Sequence, residues 1–188
     1  MSDSNYDQLF EHSQQVLADA DCLYTREQVE QSVDKLAQEI NIQLQDTYPI
    51  VMAVMNGGLI TCGLLLPKLT LPIQCDYLHA TRYGHEITGD TLKWMHKPAL
   101  SLKGRTILLV DDIHDVGETL KQIIQFCKDE GAKTVYSCVL VHKEHDRKQS
   151  EPADFTGLIV PDRYVFGYGM DYKTMLRNAP GIYAVKGM

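Results

Sequence analysis

Apolar residues in the first part of the chain recur at two spacings, one typical of a helix and one typical of a buried strand. Thr25 and Gln28 have the spacing of a helix-capping box. The residues that follow carry apolar side chains every three or four positions, at Val29, Val33, Leu36, Ile40 and Leu44. The apolar run PIVMAV, which starts at Pro49, ends at MNGG and passes into LITCGLLLPKL. We therefore predict a helix, then a strand that joins a second helix through a glycine turn.

The rest of the chain alternates in the same way. LPIQCDYLHA and RTILLV predict strands, and between them residues 81–104 show little periodicity, which predicts a long loop. GETLKQIIQFCKDEGA predicts a helix that ends near Gly131, and KTVYSCVLV predicts the next strand in a right-handed parallel crossover. Short strands are predicted in TGLIV, YVFGYG and GIYAV, whereas the acidic first twenty-odd residues could pack at an interface or stay loose. The pattern is typical of an α/β protein with a mostly parallel sheet.

Composition narrows the class of protein without changing this picture. A chain of 188 residues with 44% apolar and 23% charged residues fits one soluble domain, residues 1–188. The formal net charge of −7 disfavours a broad nucleic-acid-binding surface. The five cysteines form no C-x-x-C pair, so we expect reduced and mostly buried thiols. No segment is typical of a signal peptide or of a membrane span, which favours a cytoplasmic protein with no membrane partner.

The stretch ILLVDDIHDVGETL places Asp111, Asp112 and Asp115 where a predicted buried strand gives way to a helix. Ligands of open parallel sheets bind at this end of the strands. The residues from Val116 to Thr119 offer a glycine, a hydroxyl group and helix N-terminal amides, which suit a phosphate monoester. The carboxylates then fit a ligand that also carries sugar hydroxyls, or Mg²⁺. Helix capping explains one carboxylate but not three, and the acid pair of a receiver-type domain would lack Gly-x-Thr.

This stretch resembles the phosphoribosyl pyrophosphate (PRPP) motif of the phosphoribosyltransferases. It shares with that motif an apolar strand, two acids, two further residues, an aspartate and then Gly-x-Thr. Residues 49–177 also resemble the purine-salvage branch of that family, the hypoxanthine-guanine phosphoribosyltransferases, most clearly in VPDRYVFGYGMDYKTMLR. The resemblance implies a type I phosphoribosyltransferase fold. In that fold a central, mostly parallel sheet is flanked by helices, terminal segments form a small hood, and a mobile catalytic loop occupies about residues 81–104.

The resemblance also implies an activity. The enzyme would transfer the 5-phosphoribosyl group from PRPP to hypoxanthine or guanine and release pyrophosphate, with Mg²⁺ as cofactor and a homodimer or homotetramer as assembly. Two alternatives stay open. One is a PRPP-binding regulator of the same fold that binds RNA or DNA, although the acidic chain favours no nucleic-acid partner. The other is a phosphoribosyltransferase that prefers xanthine.

Roles for individual residues follow from the same resemblance. Asp115 would be catalytic, through a hydrogen bond or proton exchange at purine N7, and Asp111 and Asp112 would bind the ribose hydroxyls. The 5′-phosphate would be bound by Asp115, Val116, Gly117, Glu118 and Thr119. The pyrophosphate would be bound by Asn56, Gly57, Gly58 and Arg177. The catalytic loop would begin with Thr81, Arg82, Tyr83 and Gly84 and would exclude water when it closes.

The purine site and the metal site complete these expectations. Purine binding is expected from Lys143, Tyr164, Val165 and Asp171, with the lysine donating to the 6-oxo group. Mg²⁺ ligands are expected to be Asp111, Asp112 and Asp171. The three histidines of this region, His114, His142 and His145, are interpreted as polar loop residues. Human-type relatives carry lysine where this chain has Asn56, so the backbone must provide more of the pyrophosphate binding. The family often has a hydroxyl residue at Val116 and some members have lysine at Glu118, so weaker PRPP binding is expected.

Overall fold

A computed structural model describes residues 3–82 and 92–188, with side chains from 6 to 81 and from 92 to 188. In chain order its elements are α1 (Asp3–Asp19), β1 (Asp21–Thr25), α2 (Arg26–Gln43), β2 (Ile50–Met55), α3 (Gly58–Leu65), a 3₁₀ turn (Leu66–Lys68), β3 (Gln74–Arg82), β4 (Leu92–His96), β5 (Thr106–His114), α4 (Glu118–Asp129), β6 (Thr134–Lys143), β7 (Phe155–Val160), β8 (Val165–Phe166) and β9 (Gly181–Ala184).

A six-stranded sheet forms the centre of the molecule, in the order β4-β3-β2-β5-β6-β7. Its strands are parallel except for β4, which pairs antiparallel with β3 at one edge. Strand β5 alternates its buried side chains between the two faces. Leu108 and Val110 pack on the side of α2 and α3, whereas Ile107 and Leu109 pack with residues of α4. The sheet is therefore apolar on both faces, as is typical of parallel sheets covered by helices.

A second, three-stranded sheet lies beside the first and is built from both ends of the chain. Its order is β1-β9-β8, and both pairings are antiparallel. Helix α1 packs against it, since Val16 and Leu17 contact a cluster that contains Phe166 and Tyr172. Together with the central sheet, this hood confirms the predicted type I fold. The acidic N-terminal segment, which the sequence left without an assigned structure, is a helix over most of its length.

Several strands differ from the sequence predictions. Residues 81–104 were predicted to be a loop, but β3 continues into this range as far as Arg82, and a further strand, β4, lies within it. Strand β5 extends through Asp111 and Asp112 to His114, so these carboxylates lie on the strand rather than after it. Strand β6 likewise includes Lys143, which was expected just past its end. The capping box of α2 is confirmed, because the side chains of Thr25 and Gln28 each accept a hydrogen bond from the other's backbone N–H.

Candidate active site

A cleft of about 620 Å³ opens at the carboxyl ends of the central strands, with part of its wall formed by the hood. Most of the predicted site residues line it: Asn56, Gly57, Thr81, Asp111, Asp112, Asp115, Val116, Gly117, Glu118, Thr119, Lys143, Tyr164, Val165, Asp171 and Arg177. Gly58 is buried behind the cleft wall. Tyr83, Gly84 and the side chain of Arg82 lie outside the described residues. Residues from five separate segments of the chain, predicted from the sequence as site residues, thus line one cleft.

The turn between β2 and α3 passes very close to strand β5. The Met55–Asn56 peptide bond is cis. A Cβ atom at Gly57 would lie 2.1 Å from Oδ2 of Asp112, and one at Gly58 would lie 2.2 Å from the carbonyl oxygen of Val110. Residues with a Cβ atom would not fit at these two positions, because the turn packs directly against strand β5. The turn lies at the edge of the cleft.

Asp111 and Asp112 form a pair of neighbouring acids on the floor of the cleft. The backbone N–H of Asp112 donates to Oδ1 of Asp111 at 2.9 Å. Burial raises the pKa of both carboxyl groups, and for Asp111 the charge of Asp112 adds to the effect. The nearest described cation is Arg177, whose Nη1 atom lies 3.9 Å from Oδ2 of Asp112. The pair therefore lacks full charge compensation and favours a ligand that donates hydrogen bonds or brings a cation.

Arg177 connects the floor of the cleft to the hood. Its Nη2 atom donates to Oδ1 of Asp171 at 2.7 Å, and its Nη1 atom donates to the carbonyl oxygen of Gly169. The second oxygen of Asp171 accepts the N–H group of Thr174 at 2.7 Å. These bonds hold the guanidinium group at the rim, where its remaining donors can meet an anion.

Asp115 is held between the last side chain of the neighbouring strand β6 and a side chain that follows this strand. Nζ of Lys143 donates to Oδ2 of Asp115 at 2.8 Å, and Nε2 of His145 lies 2.7 Å from Oδ1. Partial burial would raise the pKa of Asp115, but the hydrogen bonds and charges of these two partners outweigh it and hold the pKa below its usual value. The interpretation of His145 as a polar loop residue was incomplete, because its side chain is 3% exposed.

The first turn of α4 faces the cleft with free backbone amides. Gly117 precedes the helix with φ 88°, and a Cβ atom there would lie 2.0 Å from Oγ of Ser150 and 2.4 Å from Nε2 of His114. Lys148 donates to the carbonyl oxygens of His114 at 3.0 Å and Asp115 at 2.6 Å. The backbone of this turn is thus held from behind, while the first N–H groups of the helix have no helical partner.

His114 and His142 are strand residues rather than loop residues, which corrects their interpretation from sequence. They are directly paired in the parallel register of β5 and β6, and their rings stack with centroids 5.1 Å apart. His114 is 1% exposed, and burial, followed by the charge of Lys148, lowers its pKa to about 4. The ring of His114 lies directly beside the turn at Gly117, which lines the cleft.

The aromatic residue at the hood side of the cleft is backed by residues that the sequence did not single out. Tyr164 is 42% exposed, and its ring makes a T-shaped contact with that of Tyr172, with centroids 5.5 Å apart. The hydroxyl group of Tyr172 lies 3.0 Å from Nε2 of His12 on α1. Helix α1 therefore supports the exposed ring indirectly, through a contact 160 residues apart in the chain.

The cleft carries more negative than positive side chains. Among the described lining residues, five are acidic, namely Asp111, Asp112, Asp115, Glu118 and Asp171, whereas two are cationic, namely Lys143 and Arg177. Within residues 3–82 and 92–188, no three histidine, cysteine or acidic side chains are arranged to hold a metal by themselves.

Comparison with known proteins identifies the family. The phosphoribosyl transferase domain model matches residues 19–173 of the chain. The chain belongs to the phosphoribosyltransferase family. It is 32% identical to the hypoxanthine-guanine phosphoribosyltransferase of Bacillus subtilis over 87% of this chain and 92% of that protein. It is 31% identical to the enzyme of the same name from Aquifex aeolicus, over 87% and 93% of the two chains.

A solved structure supports the same fold. The crystal structure of a hypoxanthine-guanine phosphoribosyltransferase of Bacillus anthracis superposes with a TM-score of 0.81 and 28% identity, covering 88% of this chain and 98% of that one. The match to the phosphoribosyl transferase domain begins at Asp19, the last residue of α1, so most of this helix precedes the matched residues, whereas Tyr172 lies within them. Within the described residues, no helix is long and apolar enough to span a membrane.

Proposed function

We propose that the protein is a purine-salvage phosphoribosyltransferase that joins N9 of hypoxanthine or guanine to C1′ of PRPP and releases pyrophosphate. The observation that carries the proposal is the meeting, in one cleft, of a carboxylate pair, a helix N-terminus and the Lys143–Asp115 ion pair. These groups match the three parts of the reaction: sugar hydroxyls, phosphate and a 6-oxopurine. The names of the relatives support the same substrate class.

The phosphate groups of PRPP fit two places in the cleft. Free amides at Gly117, Glu118 and Thr119, with the threonine hydroxyl, would bind the 5′-phosphate at the positive end of α4. The pyrophosphate would meet Arg177 and the amides of the turn at Asn56 and Gly57. Because the chain has Val116 and Glu118 at the 5′-phosphate loop, backbone amides would provide most of that binding, and weak PRPP affinity is the expected consequence.

The acid pair fits both the ribose and Mg²⁺. Asp111 and Asp112 would accept hydrogen bonds from the ribose hydroxyls, and with Asp171 they would hold Mg²⁺ together with oxygens of PRPP. The fit rests on the incomplete charge compensation of the pair, since burial raises both pKa values and Arg177 lies 3.9 Å from Asp112. The bound ion would neutralise and orient the departing pyrophosphate.

The purine would enter between Tyr164 and Lys143. Tyr164 has an exposed ring for stacking, and the buried Val165 beside it offers backbone groups to the base edge. The ammonium group of Lys143 has three donors, so it can reach a 6-oxo group while it keeps its bond to Asp115, but it has no acceptor for the 6-amino group of adenine. Asp115, ionised because its pKa is low, would accept the proton or hydrogen bond of purine N7 and make N9 a better nucleophile.

Water must be excluded while the C1′–pyrophosphate bond breaks. We propose that a mobile loop of about residues 81–104 closes over the cleft as a lid. This loop would begin with Thr81, Arg82, Tyr83 and Gly84. The location of Thr81 on the cleft wall supports this role. We further propose that a single domain spans residues 1–188 and assembles as a homodimer or homotetramer, which analytical ultracentrifugation would resolve.

The test is a spectrophotometric assay with Mg²⁺, PRPP and one base at a time from hypoxanthine, guanine, xanthine and adenine. Turnover with hypoxanthine or guanine but not adenine is the expected result. Preference for xanthine would keep the chemistry and change the substrate. No turnover with any base, combined with tight and PRPP-dependent RNA or DNA retention in filter binding, would replace the enzyme by a regulator of the same fold.

A further inference from the structure

The carboxylate of Asp115 has a second partner besides Lys143. His145 lies in the segment between β6 and β7, and its Nε2 atom is 2.7 Å from Oδ1 of Asp115. The two partners take different oxygens, since Lys143 donates to Oδ2. The side chain of His145 is 3% exposed, whereas that of Asp115 is 41% exposed. The imidazole is thus packed inside the protein with one edge against a residue that faces the cleft.

The contacts of the imidazole assign its tautomer. The backbone N–H of Arg147 donates to Nδ1 of His145 at 3.0 Å, so Nδ1 must carry a lone pair. The proton of the neutral ring is therefore on Nε2, which faces Asp115. A doubly protonated ring could not accept the bond from Arg147. His145 is in this way oriented by its own turn to donate to the carboxylate.

Other charged and titratable groups face this pair from the packed elements. Lys143 comes from β6, and Lys148, from the segment after β6, donates to the main-chain carbonyl of Asp115 rather than to its carboxylate. His114, on β5, is uncharged near neutral pH because burial lowers its pKa to about 4. Lys143 and His145 are therefore the side chains that bond to the carboxylate itself.

We propose that His145 is a positioning residue that holds Asp115 in the orientation from which its carboxylate meets the purine. The inference rests on the proposed function and deepens it. A carboxylate has about four lone-pair sites, so two remain free for the base when Lys143 and His145 occupy one each. When the ammonium group of Lys143 also donates to the 6-oxo group, the bond from His145 to the other carboxylate oxygen keeps Asp115 in the same orientation.

The test compares two substitutions that differ in one donor. His145→Leu removes the N–H donor, and His145→Gln keeps an amide N–H that can reach the same oxygen. For His145→Leu we expect kcat with hypoxanthine to fall about tenfold or more, while the KM for PRPP changes little, because a hydrogen bond to a charged group is lost at the base rather than at the phosphates. Asp146→Asn, a change at an exposed neighbour, is the matched control and should leave kcat near that of the wild type.

A pH profile separates positioning from packing. The bond from His145 lowers the pKa of Asp115, and the ionised carboxylate is the active form, so the acidic limb of kcat/KM should move to higher pH in His145→Leu and return in His145→Gln. Equal losses in both variants, or a folded His145→Leu enzyme with unchanged kcat and pH profile, would overturn the proposal.

A measurement on the wild-type protein needs no turnover. Nitrogen-15 NMR of the histidine rings should find His145 protonated at Nε2 and unprotonated at Nδ1. The opposite tautomer, or a doubly protonated ring at neutral pH, would also overturn the proposal. If the wild type converts no purine base, the proposed function fails and the positioning role of His145 in catalysis fails with it. The NMR result then reports the Asp115–His145 contact separately, so the two failures are distinguishable.

Discussion

Gly58 offers a sharp test of how closely α3 approaches the strand that carries the acid pair. The substitution Gly58→Ala places a Cβ atom 2.2 Å from the carbonyl oxygen of Val110 and 3.0 Å from Cα of Asp111. Cβ contacts under 3.0 Å are essentially never found, and both neighbours are backbone atoms that cannot rotate away. The start of α3 must therefore separate from β5 by close to an ångström.

Overpacking of this kind costs about 1–3 kcal/mol, because well-packed interiors absorb added volume by shifting backbone. The matched control is Gly63→Ala in the same helix, where an added Cβ atom has no neighbour within 4 Å. That change should stabilise the protein by about 0.5–1 kcal/mol, the ordinary advantage of alanine over glycine inside a helix. The two variants should thus move in opposite directions although their chemistry is the same.

Urea unfolding followed by circular dichroism measures both free energies. We expect Gly58→Ala to lower the midpoint with an unchanged slope, and Gly63→Ala to raise it slightly. The affinity for PRPP should weaken in Gly58→Ala alone, because Asp111 lies next to the contact. If Gly58→Ala unfolds at the same urea concentration as Gly63→Ala and binds PRPP like the wild type, the close approach is refuted.

Three further predictions concern other parts of the molecule. Thr25→Ala should cost about 1 kcal/mol in urea unfolding because α2 loses its capping box, whereas Thr25→Ser should retain most of the stability. Ellman's reagent should modify the exposed Cys22 and Cys75 rapidly, and Cys62, Cys127 and Cys138 only after unfolding. Burial raises the pKa of the Cys62 and Cys127 thiols to about 12, and it raises the pKa of the Cys138 thiol as well. Rapid reaction of a third thiol would contradict this prediction. Lys143→Met should lower kcat/KM for hypoxanthine about 10- to 100-fold. The acidic limb of the pH profile of kcat/KM should also move to higher pH, because Lys143 lowers the pKa of Asp115. Lys133→Met, at an exposed position, is the control and should leave both unchanged.

The sequence predicted the elements whose patterns are local. Buried strands such as β2 and β5 are continuous apolar runs, and α2 carries its own cap, so their recognition needs no knowledge of neighbours. Strand β4 was missed because Met95 is exposed at a position where alternation would place a polar residue, which weakens the period of two. Short strands were predicted where β8 and β9 lie, but β1 was not predicted, and the hood that joins them was implied by the family resemblance rather than by a local period.

The residues that line the candidate site could be predicted from the sequence, but the contacts between their side chains could not. The site character of the stretch from Asp111 to Thr119 was inferred from its residues, whereas the residues near Tyr164 were assigned from the resemblance to the family. The partners of Asp115 depend on the register of β5 with β6, in which His114 pairs with His142 and brings Lys143 and the following turn beside Asp115. Sequence does not state this register. His145 could have been suspected only from its position two residues after Lys143.

The most direct test of the account is the product balance of the purified protein. We predict that incubation with Mg²⁺, PRPP and hypoxanthine yields inosine monophosphate and pyrophosphate in equal amounts, measured by chromatography and phosphorus-31 NMR, and that omission of the base leaves PRPP largely intact. Consumption of PRPP without formation of the nucleotide, or no consumption at all with any of the 6-oxopurines, would contradict the claim that this cleft transfers the phosphoribosyl group to a purine.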